Sequence, residues 1–191
     1  MRLWLPIAAL LPLFAVAKEK PVATFTENKG QWPEQVLYRA LVPGGALFVE
    51  RNALTFTLAS GGPMDQHGHE AREPEEPLRR HAFRIELEGA RPARSEGFNT
   101  QTRYENFFLG GDPLHWGSHC RVFGEVYLHE VYPGIDLRID GSAGLKYEFI
   151  VAPGADPSLI RLKFQGQDRL ALENGRLMVT TTAGIVTDEA P

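Results

Sequence analysis

Cysteine is almost absent: Cys120 stands alone among 191 residues, which excludes a disulfide within the chain. A domain of this size must then hold itself by packing, without the covalent staples common in small exported domains. The run Cys120-Arg-Val-Phe reads as a strand, in which a lone thiol acts as a small buried hydrophobe. A reactive thiol or an intermolecular link is the alternative. Basic excess is missing too, with 20 Lys and Arg against 24 Asp and Glu. A mildly acidic chain without a basic stripe argues against nucleic acid and anionic membrane surfaces as partners. No segment keeps a 3.6-residue apolar stripe over three turns, which argues against a helical bundle.

Local catalytic signatures are also wanting. There is no Gly-x-Ser-x-Gly elbow, HExxH helix, phosphate-binding glycine loop or calcium loop. No catalytic residue, cofactor or metal follows from the sequence, although triads assemble across distant positions.

The N-terminus has the layout of a secretory signal peptide. Met1-Arg2 is positive, Leu3 to Phe14 is nearly all apolar, and Ala15-Val16-Ala17 supplies an A-x-A cleavage site. The apolar run of 15 residues is short of the roughly 18 to 20 that span a bilayer. Cleavage after Ala17 leaves residues 18–191, without Arg2 and with a net charge of −5 from 19 basic and 24 acidic residues. The expectation is a secreted or cell-surface protein with no transmembrane segment after cleavage.

Strand periodicity runs through residues 18–191. Phe83, Ile85 and Leu87 alternate with Arg84, Glu86 and Glu88, and Ile135, Leu137 and Ile139 alternate with Asp136, Arg138 and Asp140. Leu145, Tyr147, Phe149 and Val151 continue after Gly141-Ser-Ala-Gly144, which predicts a hairpin. Asn174-Gly175 between Leu170-Ala-Leu172 and Leu177-Met-Val179 predicts another, with a type I′ turn. Ile160, Leu162 and Phe164 make a further run, and strands are expected at 36–40, 46–50, 53–59, 104–109 and 121–129. Single helical turns fit Pro33 to Tyr38 or Pro157 to Ile160. Many short strands between Gly and Pro turns predict an all-β, antiparallel, sandwich-like domain with little helix.

Gly61 to Arg80 is acidic and proline-rich with hardly an apolar side chain, and reads as an exposed loop inside one domain. The residues before it are too few for a core of their own.

Several polar groups are weighed as sites. His115, His119 and Cys120 suggest zinc ligands, but a closed tetrahedral site needs about four donors and no fourth lies near. His67, His69 and Glu70 fall in the acidic loop and read as a solvated charge run. Among Glu125, Glu130, Asp136, Asp140 and Glu148, a glycosidase pair needs carboxyls roughly 5 to 9.5 Å apart. Asp136 and Asp140 share one strand face at about 13 Å, while Arg138 between them and Lys146 opposite read as a surface charge ladder. A cross-strand pair of Asp136 and Glu148 depends on register. Tyr104, Phe107 and Trp116 form a candidate ligand platform of aromatics, and Trp32 and Trp116 are expected to plug the ends of the core.

Phe25-Thr-Glu-Asn-Lys-Gly-Gln-Trp32, Tyr104-Glu-Asn-Phe-Phe-Leu-Gly-Gly-Asp-Pro-Leu-His-Trp116, Val131-Tyr-Pro-Gly-Ile-Asp-Leu137, Leu145-Lys-Tyr-Glu-Phe-Ile-Val-Ala-Pro-Gly-Ala-Asp-Pro157 and Ile160-Arg-Leu-Lys-Phe-Gln-Gly166 occur in that order. Together they resemble the β-rich N-terminal domain of secreted, multidomain bacterial surface proteins. Those proteins carry SBBP β-propeller repeats, PKD or other immunoglobulin-like modules, or gliding-motility-type C-terminal sorting domains. The resemblance implies a cell-surface module partnered by downstream domains of the same polypeptide, and it brings no catalytic residues. Ending at Thr187-Asp-Glu-Ala-Pro191 implies a piece of a longer protein or a reduced version of it, with an unpaired sheet edge near Gly184 to Thr187. The expected function is adhesion, assembly or presentation of neighbouring domains, with an extracellular protein or glycan as partner. The alternatives are an enzyme or enzyme-associated domain acting on extracellular polysaccharide or protein, and a glycan-binding module.

Overall fold

A computed structural model describes residues 22–61 and 77–188. The leader at 1–17 and most of the acidic 61–80 loop lie outside the described residues.

The fold is all-β and antiparallel. A meander opens it: β1 (Phe25–Glu27), β2 (Val36–Val42), β3 (Gly45–Glu50), β4 (Ala53–Ser60) and β5 (Arg79–Leu87). A long hairpin follows, β6 (Arg94–Phe107) and β7 (Gly117–Tyr132), then β8 (Ile135–Asp140), β9 (Lys146–Val151) and β10 (Leu162–Gln165). These make one ten-stranded sheet curled into a half-barrel. The last strands, β11 (Arg169–Glu173), β12 (Arg176–Thr181) and β13 (Gly184–Asp188), form a separate three-stranded sheet.

β7 organises the large sheet. β6 occupies one of its edges, with pairs from Arg94↔His129 to Phe107↔Gly117. The other edge is divided: β1 pairs at Val122 and Phe123, and β8 pairs from Glu125 onward. The split falls at Gly124, whose carbonyl accepts from Gly141 N–H at 3.1 Å, while Gly141 O accepts from Ala23 N–H at 2.8 Å. Two wings leave β7 here, one through β1 to β2, β3, β4, β5 and β10, the other through β8 to β9. A side chain at Gly141 would place its Cβ 2.1 Å from Ala23 O, so only glycine permits this approach.

The alternating residues face one core. Phe25, Leu47, Val49, Phe83 and Leu87 of one wing pack with Val126, Leu128, Ile135, Leu137 and Ile139 of β7 and β8, all but closed to solvent. Each such side chain contributes about 1.5–3 kcal/mol by leaving water. Phe56 and Phe83 stack at 4.9 Å, and Tyr38 meets Phe123 edge-on at 5.8 Å. The small sheet joins through Val179, 2% exposed, and through His81, whose ring nitrogens lie 2.9 Å from Thr182 Oγ1 and 2.5 Å from Gly166 O. Among the described residues β13 pairs with β12 alone and forms one edge of that sheet, β11 the other.

The β8–β9 hairpin and the Asn174-Gly175 turn occur as expected, the latter with φ of 52° and 79° at its two central residues. Pro157–Leu159 forms a 3-10 turn, as does Pro113–His115. β1 was not expected, β2 and β7 run further than 36–40 and 121–129, and the larger differences fall at β6 and β5. β6 starts at Arg94, ten residues ahead of the expected Tyr104, because both its faces are largely wet and no apolar alternation marks it. It stops at Phe107, so Leu109 is loop. Arg79 and Arg80 belong to β5, where pairing to Ser60 and Ala59 outweighs their polarity.

Candidate functional site

The Phe25–Trp32 and Tyr104–Trp116 motifs meet at one end of the molecule. Asn28 organises the β1–β2 turn: its Oδ1 accepts from Gly30 and Trp32 N–H at 3.0 and 3.2 Å, and its Nδ2 donates to Val36 O at 2.8 Å. The turn docks on the β6–β7 hairpin. Lys29 Nζ donates to His119 O at 2.8 Å, and Gln31 Nε2 to Cys120 Sγ at 3.4 Å. Below it, Thr26 Oγ1 donates to Glu105 Oε2 at 2.8 Å, and the Glu27 carboxylate takes Arg121 Nε at 2.9 Å. Burial pushes the Glu27 carboxyl up, but the Arg121 bonds, with the charges of Arg121 and Lys29, bring it below its ordinary range.

The hairpin end, residues 108–116, carries an apolar tip. Asp112 Oδ1 accepts from Leu114 N–H at 3.0 Å and caps the 3-10 turn, and Trp116 Nε1 donates to Gly110 O at 3.2 Å. These bonds hold outward Phe108, Leu109, Leu114 and Trp116, which are 57%, 75%, 85% and 38% exposed. Phe108 meets Trp116 edge-on at 5.5 Å. The loop thus leaves four large apolar side chains open to water.

The aromatics of the expected platform separate. Tyr104 is exposed and stacks on His119 at 4.4 Å. Phe107 is half-buried and turned to Trp32 at 5.1 Å. Trp116 is too exposed to plug the core, a role it loses because the loop lies beyond the last pair of the hairpin. Trp32 is half-buried on the outer sheet face, against Phe48 and under Arg39.

The histidines diverge as well. His115 Nδ1 lies 3.0 Å from Asp112 Oδ2, His119 Nδ1 lies 2.9 Å from Ser118 Oγ, and Cys120 is fully buried. Among the described residues, no group of three or more His, Cys, Asp or Glu is placed to hold a metal. His67, His69 and Glu70 lie outside the described residues.

The charge ladder occupies the outer face of β6 to β9. Register aligns Phe98, Glu125, Asp140 and Lys146 in one row, and Glu96, Tyr127, Arg138 and Glu148 in the next. Arg138 is its hub, bonded to Glu125, to Asp140 at 3.1 Å and to Glu148 at 3.0 Å. Lys146 completes it through Glu148. Asp136 lies opposite Ile150, not Glu148, and turns instead to β7. Its Oδ1 accepts from Glu130 N–H at 2.7 Å and its Oδ2 lies 3.2 Å from His129 Nδ1. The two carboxylates therefore do not converge.

The candidate site is an exposed apolar loop on an all-β frame. Residues 25–191 match the family described as Domain of unknown function (DUF7948), and the chain belongs to that family. No curated protein and no solved structure matches the chain. Among the described residues, no helix is long and apolar enough to cross a membrane. The sequence read Trp116 two ways, as a core plug and as a surface aromatic, and Phe108, Leu109 and Leu114 were not read as exposed at all, because an apolar residue in a motif reads first as core.

Proposed function

We propose that this chain is an extracellular, non-catalytic module that docks neighbouring domains or a protein partner at the cell surface. The signal-like leader supports export. The resemblance to N-terminal domains of proteins bearing SBBP, PKD or sorting modules supports a place in a longer surface protein. The observation that carries the reading is the tip itself. Asp112 and Trp116 spend their polar groups inside the loop that presents Phe108, Leu109 and Leu114 to water, and Lys29 and Gln31 tie the β1–β2 turn to the strand at its base. A stable fold has no use for such exposure, whereas a contact surface does.

The test is binding of labelled protein to washed envelopes of the producing cells, with and without protease treatment. Saturable, protease-sensitive binding that Leu114→Ser with Trp116→Ala abolishes supports the reading. Binding that survives this pair overturns the tip as the contact. A second reading, glycan binding on the same end, rests on Tyr104 exposed over His119. Protease-resistant binding lost on Tyr104→Ala would favour it.

A further inference from the structure

A second surface feature lies away from the tip, where β6, β7, β8 and β9 meet. A cleft of about 690 Å³ is lined by Arg91, Pro92, Arg94, His129, Glu130 and Asp136, with Gly134, Ile150 and Ala152 completing it. We propose that this cleft binds a neutral saccharide unit.

The groups there come in matched kinds. Arg91 and Arg94 supply N–H donors; Glu130 and Asp136 supply carboxylate acceptors. A sugar hydroxyl donates and accepts at once, so mixed donors and acceptors around one cleft suit a polyol. An anion would need the donors without the acidic groups. Pro92, Ile150 and Ala152 add an apolar wall for the C–H face of a pyranose, with Ile150 44% exposed. Small-ligand sites combine an apolar lining with a few placed polar groups in the same way.

The polar frame is already fixed. His129 has Nδ1 at 3.2 Å from Asp136 Oδ2 and Nε2 at 3.2 Å from Glu96 Oε2, which sets its ring between two carboxylates. Arg94 is set by Glu96 at 3.1 Å. Tyr127 stacks on His129 at 5.8 Å and 17°, and Phe98 meets Tyr127 at 5.1 Å, which leads a row of rings outward from the cleft. Arg91 and Glu130 are different: among the described residues neither side chain has a hydrogen bond or ion pair. Glu130 also holds φ of +51°, an uncommon conformation for a non-glycine residue, at a bulge where β7 slips register against β8. The bulge re-aims residues 129–131 while Asp136 secures the displaced Glu130 N–H. One donor and one acceptor are left free at the rim of a rigid cleft.

The inference rests on the extracellular binding reading, and it can fail without it. The test is amide-resolved NMR titration of the whole chain with cellohexaose, laminarihexaose, xylohexaose and chitohexaose, with polygalacturonate as the charged control. Saturable shifts with a neutral sugar, clustered at 91–94, 129–136 and 150–152, are expected. Arg91→Ala should weaken that binding on the order of tenfold, the worth of one charged hydrogen bond. Its melting temperature should hold, since Arg91 is exposed and unpaired. Trp116→Ala should leave the sugar binding intact. No saturable shifts with any neutral sugar, shifts located at the tip, binding of polygalacturonate alone, or an unaffected Arg91→Ala each overturn the cleft. Only the envelope experiment above bears on the tip.

Discussion

Lys29 and His119 are 90 residues apart in sequence, yet the Lys29 ammonium donates to the His119 carbonyl at 2.8 Å. This bond joins the turn after β1 to the hairpin end that carries the apolar tip. His119 sits at φ of 51°, with its own N–H taken by Asn106 Oδ1 at 2.8 Å. The base of the tip is thus held from both sides by residues distant in the chain.

Lys29→Met should loosen the tip without unfolding the domain. Lys29 is partly exposed, so the global cost is about 0.5–1 kcal/mol. Amide exchange around 106–120 should quicken, while β2 to β5 stay protected; uniform acceleration across the sheet would contradict local anchoring.

Arg138→Met should cost more. Glu125 is 8% exposed and loses its main cationic partner, and Asp140 and Glu148 lose the same hub. The expected loss is roughly 2–3 kcal/mol by urea unfolding, discounted because Arg138 keeps some solvent. Adding Glu125→Gln should recover part of it. An additive double variant would show the two residues to be uncoupled.

Acid should destabilise through Glu27 and Asp140. Burial raises each carboxyl, but Arg121 and Lys29 at Glu27, and Ser142 with Arg138 and Lys146 at Asp140, bring both below their ordinary values of 4.5 and 3.8. A depressed folded-state value stabilises fully above the unfolded value and is lost as pH falls through the folded one. Stability should therefore be flat at neutral pH and fall once pH drops below the ordinary carboxylate range. Glu27→Gln should flatten that fall in a pH series of urea midpoints.

Cys120 should resist thiol reagents until the fold opens. It is fully buried, burial raises its thiol above the ordinary value of 9.0, and Gln31 covers its sulfur. Maleimide labelling should be slow in buffer and complete in urea. Fast labelling of the folded chain would show that the β1–β2 turn opens.

Gly141→Ala should break the junction of the wings. The new methyl would stand 2.1 Å from Ala23 O, and neither backbone can retreat without losing its bond to the other. A loss of roughly 2–3 kcal/mol is expected. Gly111→Ala, with open space around it, should cost far less.

The alternation in Phe83-Arg-Ile-Glu-Leu87 and Ile135-Asp-Leu-Arg-Ile139 reports strands because each side chain's face is a local matter. The Asn174-Gly175 turn was equally readable, since positive φ is demanded at the residues themselves. The charge ladder around Arg138 was half readable: its members alternate on one face, but which carboxylate each cation meets depends on register. The cleft was not visible at all. Arg91, Glu130 and Ile150 are far apart in the chain and carry no shared pattern.

The sequence alone determines that this is an antiparallel β chain with no disulfide to hold it, because periodicity, turn residues and a cysteine count are properties of near neighbours. Tertiary structure decided that β7 feeds two wings, that Asp136 serves the β7 bulge instead of Glu148, and that Phe107 packs on Trp32 while Phe108 stays open to water. Those outcomes rest on strand register and on contacts between distant parts of the chain, as at Gln31 and Cys120, 89 residues apart. A one-residue change of register would send every such side chain to the opposite face, and no local pattern specifies it.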